Sequence, residues 1–239
     1  MSPKPSISAF FPCYNDSKSI GKMVEDAFTT LKTLTNDYEV IVIDDGSKDN
    51  SRAVLRKLSK KHKKLKLVFH SKNRGYGGAL KSGFKTASKD LVFYTDGDGQ
   101  FDISEMKILH MLLTPDVDFV NGTRMIRQDE SYRVFAGNLH RFINRWAFFL
   151  PVVDVDSDYR LIRRDIIKKI KLESNTGSIC IELVKKAERA GARFREVDIH
   201  HFERPYGNSQ FFRIDRIVKT YVELAFLWIR LMVIDKFFI

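Results

Sequence analysis

Apolar residues follow two alternating rhythms along the first half of the chain. Short β-rich runs at Ile7–Phe11, Glu39–Ile43, Lys66–His70, Leu91–Thr95 and Asp118–Asn121 are separated by stretches in which apolar positions recur at helical spacing. Between the first two runs, Ile20, Met23, Val24, Ala27, Phe28, Leu31 and Leu34 form one stripe of an amphipathic helix. Similar patterns run from Asn50 to His62, Gly77 to Ala87 and Ile103 to Leu113. Strand followed by helix followed by strand predicts βαβ units, hence an α/β fold with a mainly parallel sheet flanked by helices.

Beyond Thr123 the rhythm breaks. A polar, basic stretch leads to the apolar run Trp146 to Val153, then to a strand near Asp158–Ile162 and a helix over Ile179–Ala190. The tail is apolar again, with Ile217, Tyr221, Leu224, Phe226, Leu227, Trp228, Leu231, Met232, Val233, Phe237 and Phe238 interrupted by Lys219, Glu223, Arg230, Asp235 and Lys236. Those charges leave no uncharged run near the roughly 20 residues that a bilayer span requires. Residues 211–239 are therefore expected to form an amphipathic helix at a membrane interface or an oligomer contact. No repeat or Gly/Ser linker divides residues 1–210, which are expected to form one domain.

Composition adds charge to this picture. With 41 Lys+Arg against 30 Asp+Glu the 239-residue chain carries +11, a field that attracts nucleotides, nucleic acid or an acidic membrane. No nucleic-acid-binding motif accompanies the charge, and acidic strand ends would repel a phosphate backbone, so no nucleic-acid partner is expected. Two cysteines, Cys13 and Cys180, make neither a disulfide framework nor a zinc spacing, which points to a reducing compartment. Met1-Ser2-Pro3-Lys4-Pro5 leads directly into the first strand pattern, so no secretory leader is expected.

Chemistry concentrates where strands end. Tyr94-Thr95-Asp96-Gly97-Asp98-Gly99-Gln100 puts two carboxylates two residues apart. If the segment stays extended, Asp96, Asp98 and Gln100 project to one side and offer hard oxygen donors suited to Mg2+ or Mn2+ shared with a diphosphate. Gly97 and Gly99 would let phosphate approach the backbone, although Asp-Gly pairs also make ordinary turns. Asp44-Asp45-Gly46-Ser47 closes the second strand, where a carboxylate can meet a ribose or base; Ser47 and Asp49 also suit a turn and helix cap. Pro12-Cys13-Tyr14-Asn15-Asp16 closes the first, with Tyr14 able to stack on a base and Asp16 or Ser17 equally able to cap the next helix.

Three acidic loops after three strands, in this order and spacing, resemble inverting glycosyltransferase family 2 and its GT-A fold, within it the dolichyl-phosphate mannose synthase and polyprenyl-phosphate glycosyltransferase type. The similarity covers most of residues 6–210 and includes Gly122-Thr123-Arg124, the segment Asp154 to Arg164 and the loop Arg204-Pro205-Tyr206-Gly207-Asn208-Ser209-Gln210. It implies that Pro12, Tyr14, Asp16, Ile43, Asp44, Asp45, Asp96, Gly97 and Gln100 bind a nucleoside diphosphate sugar. It further implies that Asp96, Asp98 and Gln100 hold the metal, that Asp98 and Arg124 are catalytic, and that Arg124, Arg133, Arg204 and Ser209 hold an acceptor phosphate. Asp16 stands where the family has Glu, and Asp158 where it has Gly.

A sugar hydroxyl acceptor needs a base to take its proton, whereas a phosphate monoester is already anionic and needs only cations to position it. The basic residues from Arg124 to Arg145, and the lack of an obvious base pair of carboxylates, favour a polyprenyl or dolichyl phosphate acceptor. Glu182 lies nearest the base position by resemblance and is expected on a helix surface. The alternative is transfer to a glycan hydroxyl with Asp156 or Glu182 as base. His200 and His201 are expected in structural or surface roles. A homo-oligomer and a peripheral site on the cytoplasmic face of a membrane complete the expectations.

Overall fold

The computed structural model describes residues 4–125, 142–206 and 214–236. The structure holds one seven-stranded sheet: β1 (Ile7–Cys13), β2 (Tyr38–Asp44), β3 (Leu65–Phe69), β4 (Leu91–Thr95), β5 (Phe119–Arg124), β6 (Tyr159–Arg163) and β7 (Phe194–Ile199). The order is β3-β2-β1-β4-β6-β5-β7. β1 pairs in parallel with β2 on one side and β4 on the other, so the chain crosses over at β1. In open α/β sheets a crevice opens at such a crossover, outside the carboxyl ends of the strands. β6 runs antiparallel to both β4 and β5, and β5 pairs in parallel with β7.

Helices cover both faces because β1, β2 and β4 are buried along their whole length and therefore need apolar cover on each side. On one face lie α1 (Ile20–Leu34), α2 (Ser51–Lys61) and α4 (Met106–Leu112), with Ile20, Val24, Leu31, Leu55 and Leu109 fully buried against Phe11, Val42 and Phe93. On the other lie α3 (Tyr76–Thr86), a helix over 142–148 that takes the label α5, α6 (Arg164–Lys169), α7 (Ile179–Arg189) and α8 (Ile214–Trp228). Their core contains Phe10, Leu80, Leu183, Leu227 and Leu231. The tail helix thus seats Leu224, Leu227, Leu231 and Met232 in the same core as the sheet. It ends in a π-helical turn at Ile229–Val233.

The elements expected from the first half are present, with ends shifted by a few residues. The pattern from Ile103 to Leu113 resolves into a 3-10 turn at Ile103–Glu105 and then α4. The apolar run from Trp146 to Val153 is not a uniform core segment: Phe148, Leu150 and Val152 are buried while Trp146, Phe149 and Val153 are exposed. Strand β7 and helix α6 are not foreshadowed by the sequence pattern. Phe194 and Val197 are only half-buried at the sheet edge, and α6 has just one buried residue, Ile166.

Candidate active site

Three strand ends meet at the crossover. After β1 the chain turns through Asn15, which adopts a left-handed φ of 59°. The turn is stitched to the loop after β2, with the Asn15 amide donating to Ser47 Oγ (3.0 Å), the Lys48 amide to Asn15 Oδ1 (2.8 Å) and the Ser17 amide to Asp49 Oδ2 (3.0 Å). Asp49 also accepts from the Ser51 amide at the start of α2 (2.9 Å), one residue before the N-cap position Asn50, whose own side chain makes no cap bond. Asp16 is not a cap: its Oδ2 accepts from the Tyr14 amide (3.1 Å) and its Oδ1 from Arg204 Nη2 (2.7 Å). Tyr14 itself is half-buried in this loop.

β4 stops at Thr95, so residues 96–100 turn rather than continue as a strand. The expectation of an extended Asp96–Gln100 is therefore corrected, for a local reason. Gly99 sits at φ +82°, and a Cβ on Gly97 would lie 2.4 Å from the Pro12 carbonyl oxygen, so the turn folds tightly onto β1. Gly97 is bare in order to pack on Pro12. Asp98 still faces the crevice, 3.7 Å from Arg204 Nη1. Gln100 is anchored through its side-chain amide to the Phe202 carbonyl (3.0 Å), while the Phe202 amide returns to the Gln100 carbonyl (2.8 Å). These bonds draw residues 201–206 over the site, so that Arg204 bridges Asp16 and Asp98.

Electrostatics set this crevice apart. Burial, then the neighbouring Asp158 and Asp98, push the Asp96 carboxyl well above its ordinary range. Asp98 and Asp158 are raised as well, each chiefly by burial, with Arg204 opposing the rise at Asp98 and Arg160 at Asp158. Burial also raises Asp16, against its bonds to Tyr14 and Arg204. The Tyr76 hydroxyl is buried near Asp96 and Asp158, close enough to ease both carboxyls, yet among the described residues it meets hydrogen-bond geometry with no group. Its own ionisation is pushed well up by burial and by the two aspartates. Asp158 reaches this cluster because antiparallel pairing aligns Thr95 with Tyr159, so the next step of the ladder sets Asp158 opposite Asp96. Its second neighbour, Cys180, donates to Asp158 Oδ1 at 3.1 Å.

Several expected site residues do other work. Ile43 points into the apolar core with no exposure, and Pro12 is buried in β1. Asp44 is fully buried and accepts from Arg52 Nε (2.6 Å). Asp45 accepts from His70 Nδ1 (2.6 Å) and from the Arg74 and Gly75 amides (2.8 and 3.0 Å), so it pins the turn that starts α3. Arg124 lays its fork on Asp154, Nε to Oδ2 and Nη2 to Oδ1 both at 2.8 Å. Glu182 is not on a helix surface: it has no exposure and accepts from the Glu173 amide (3.0 Å), the Ser174 amide (2.8 Å) and Lys186 (2.6 Å). His200 pairs with Glu105 (2.6 Å) on the surface, and His201 bridges to Phe101. Arg133 and Ser209 lie outside the described residues.

The missed residues, Asp158 and Tyr76, are separated from the acidic loops in sequence by strand insertion and helix packing. Asp158 carried one signal, its place where the resembling family has glycine.

The carboxylates suit a divalent cation. Asp96 and Asp98 offer hard oxygens at a place where burial leaves negative charge undercompensated, and Mg2+ or Mn2+ characteristically uses one or two carboxylates together with substrate phosphate. Among the described residues no three His, Cys, Asp or Glu side chains make a complete ligand set.

Comparison with known proteins gives a consistent picture. Residues 8–171 match the family described as glycosyl transferase family 2. The undecaprenyl-phosphate 4-deoxy-4-formamido-L-arabinose transferase of Yersinia enterocolitica serotype O:8 / biotype 1B is 29% identical over 206 residues, covering 86% of this chain and 62% of that protein. The enzyme of the same name from Yersinia pestis (strain Pestoides F) is 29% identical over 210 residues, covering 87% and 63%. The chain thus spans less than two thirds of these relatives. Among solved structures, glucosyl-3-phosphoglycerate synthase from Mycobacterium tuberculosis, in complex with Mn2+, UDP and glucosyl-3-phosphoglycerate, superposes with a TM-score of 0.72 at 18% identity over 95% of this chain and 80% of that one. Mannosyl-3-phosphoglycerate synthase from Rubrobacter xylanophilus gives 0.71 at 19% identity over 95% and 74%. The GT-A fold expected from the sequence is the fold these structures share with it.

Proposed function

The chain belongs to glycosyl transferase family 2, and from that premise we propose that it moves a sugar from a UDP- or GDP-sugar to a polyprenyl phosphate, with inversion. The observation that carries the reading is the crevice at the β1 crossover, where Asp16 and Asp98 face one guanidinium, Arg204, and Asp96 lies beside them. Tyr14 and Asp16 would receive the nucleoside, and Asp96 and Asp98, with Gln100 beside them, would hold Mg2+ or Mn2+. When bound, that cation supplies charge neutralisation for the departing diphosphate. Arg204 would leave the aspartates for phosphate oxygens, which its fork binds bidentately. The relatives named for undecaprenyl phosphate support this acceptor class, as does the absence of a base at Glu182, whose carboxylate is spent on two loop amides and Lys186.

The same reading puts the protein on the cytoplasmic face of a membrane. No helix among the described residues is long and apolar enough to cross one. Yet α8 and its extension expose Val218, Tyr221, Val222, Phe226, Ile229 and Val233 on one side while burying Leu224, Leu227 and Leu231 on the other. Such a stripe suits the headgroup boundary. Trp228 Nε1 donates to the Ala147 carbonyl (2.9 Å), joining α8 to α5, which exposes Phe142 and Trp146, with Phe149 exposed just after it.

The test is incubation of the purified chain with Mn2+, a panel of UDP- and GDP-sugars and a short polyprenyl phosphate, following nucleoside diphosphate release and glycolipid together. Glycolipid from one donor is the expected result. Donor cleavage without glycolipid, and with the sugar transferred to a glycan hydroxyl when a glycan is added, would overturn the acceptor.

A further inference from the structure

On the helical face of the molecule, away from the crevice, a recess of about 530 Å3 opens between the end of α6, the end of α7 and the π-turn after α8. Lys169, Lys171, Lys186, Arg189 and Arg230 line it, against only two carboxylates, Glu173 and Asp235. The cations share those carboxylates. Lys171 Nζ lies 3.6 Å from Glu173 and Lys186 Nζ 3.5 Å, with Arg230 on the same carboxylate, while Arg189 is 3.5 Å from Asp235. Lys169 has no carboxylate within ion-pair distance among the described residues. Lys186 is also paired with the buried Glu182 (2.6 Å), but five cations against three carboxylates still leave positive charge unsatisfied, and a phosphate, with more oxygens and more charge, would satisfy it better.

The π-turn decides where this charge sits. Its widened turn hands the Leu231 carbonyl to Arg189 and brings Arg230 to Glu173. Arg230 directly follows Ile229, and Asp235 directly follows Ile234, both of them exposed apolar residues. The basic recess therefore opens beside the apolar stripe of α8. Cations set just behind apolar side chains occupy the depth at which lipid phosphates lie.

We propose that this recess binds the headgroup phosphate of an anionic phospholipid, distinct from the acceptor, and so fixes how the protein sits on the bilayer. The inference rests on the reading that α8 lies at a membrane surface, and its test separates the two. Co-sedimentation of the full chain is compared on phosphatidylcholine vesicles and on vesicles that also contain phosphatidylglycerol. The variants are Lys169→Gln with Lys171→Gln in the recess, Lys57→Gln with Lys60→Gln on the exposed side of α2, and Ile229→Glu on the stripe, each checked for native circular dichroism.

The expected result is tighter binding to the anionic vesicles, weakened roughly tenfold by the recess pair, since each lysine near an anionic surface is worth about fivefold before its own ion pairs are discounted. The α2 pair should leave binding unchanged, and Ile229→Glu should weaken binding to both vesicles. Equal losses from the two lysine pairs would reduce the effect to the general positive field and overturn the recess while leaving the membrane reading standing. Binding to neither vesicle would overturn both. If glycerol 3-phosphate in solution binds the recess in a Lys169- and Lys171-dependent way while the vesicles show no preference, the recess belongs to a soluble phosphate and the lipid assignment fails.

Discussion

At the residue scale the crevice is defined by carboxylates held close together with too little positive charge. Replacing Asp98 with Ala removes one of them without emptying a packed core position, so the fold should survive. Transfer should fall on the order of 100-fold or more, since removal of one electrostatic contributor in a water-poor site has that magnitude. Nucleoside diphosphate release at saturating Mn2+ measures the loss, and an unchanged or higher melting temperature shows that it is not unfolding.

Asp158 gives a second residue-level prediction. Its folded carboxyl is raised, mainly by burial, so the native state holds the proton more tightly than the unfolded chain. That contribution is fully present below the unfolded value of about 4 and is lost as pH rises through the folded value. Asp158→Asn should therefore raise the melting temperature relative to wild type at pH 7, and the advantage should shrink steadily as pH is lowered towards 4. A difference that stays constant across that range would show that Asp158 is not held protonated by its surroundings.

Elements transmit position to the site through tight backbone contacts. A Cβ on Gly77 would lie 2.4 Å from the Ser174 carbonyl oxygen and 2.8 Å from Asn175 Cα, so the start of α3 fits against the 173–178 loop only because that residue is bare. The loop is in turn held by Glu182, and by Glu223 of α8, which accepts from Thr176 Oγ1 (2.8 Å) and Ser178 Oγ (2.9 Å). Gly77→Ala should cost about 1–3 kcal/mol, the usual range for overpacking, seen as a lower urea midpoint with an unchanged slope. Because Tyr76 and the Asp45-bound turn move with α3, the donor KM should rise more than kcat falls.

At the scale of the whole molecule, the two faces of α8 divide the labour. One face completes the core beneath the sheet and the other is left apolar towards the outside. Phe226→Glu, on the exposed face, should abolish vesicle binding yet leave donor hydrolysis in solution within about twofold, since surface substitutions away from packed groups change stability by roughly 0.5 kcal/mol or less. Loss of both together would mean that the stripe supports the fold rather than a membrane.

The local pattern of the chain was enough to set the alternating strands and helices of the first half and the acidic loops that end β1, β2 and β4. Periodicity reports which face is buried, and those strands are buried on both sides, so their apolar runs are long and clear. The chain could not by itself say that β6 enters the sheet antiparallel between β4 and β5, because that pairing joins residues far apart in sequence. That insertion alone sets Asp158 against Asp96. Likewise Asp44, Asp45, Arg124 and Glu182 carry the right chemistry for a site, but only packing decides whether a charged group faces a crevice or an internal partner. Here Asp44 meets Arg52, Asp45 meets His70, Arg124 meets Asp154 and Glu182 meets the 173–174 amides, while folding of residues 201–206 onto Gln100 put Arg204 between Asp16 and Asp98.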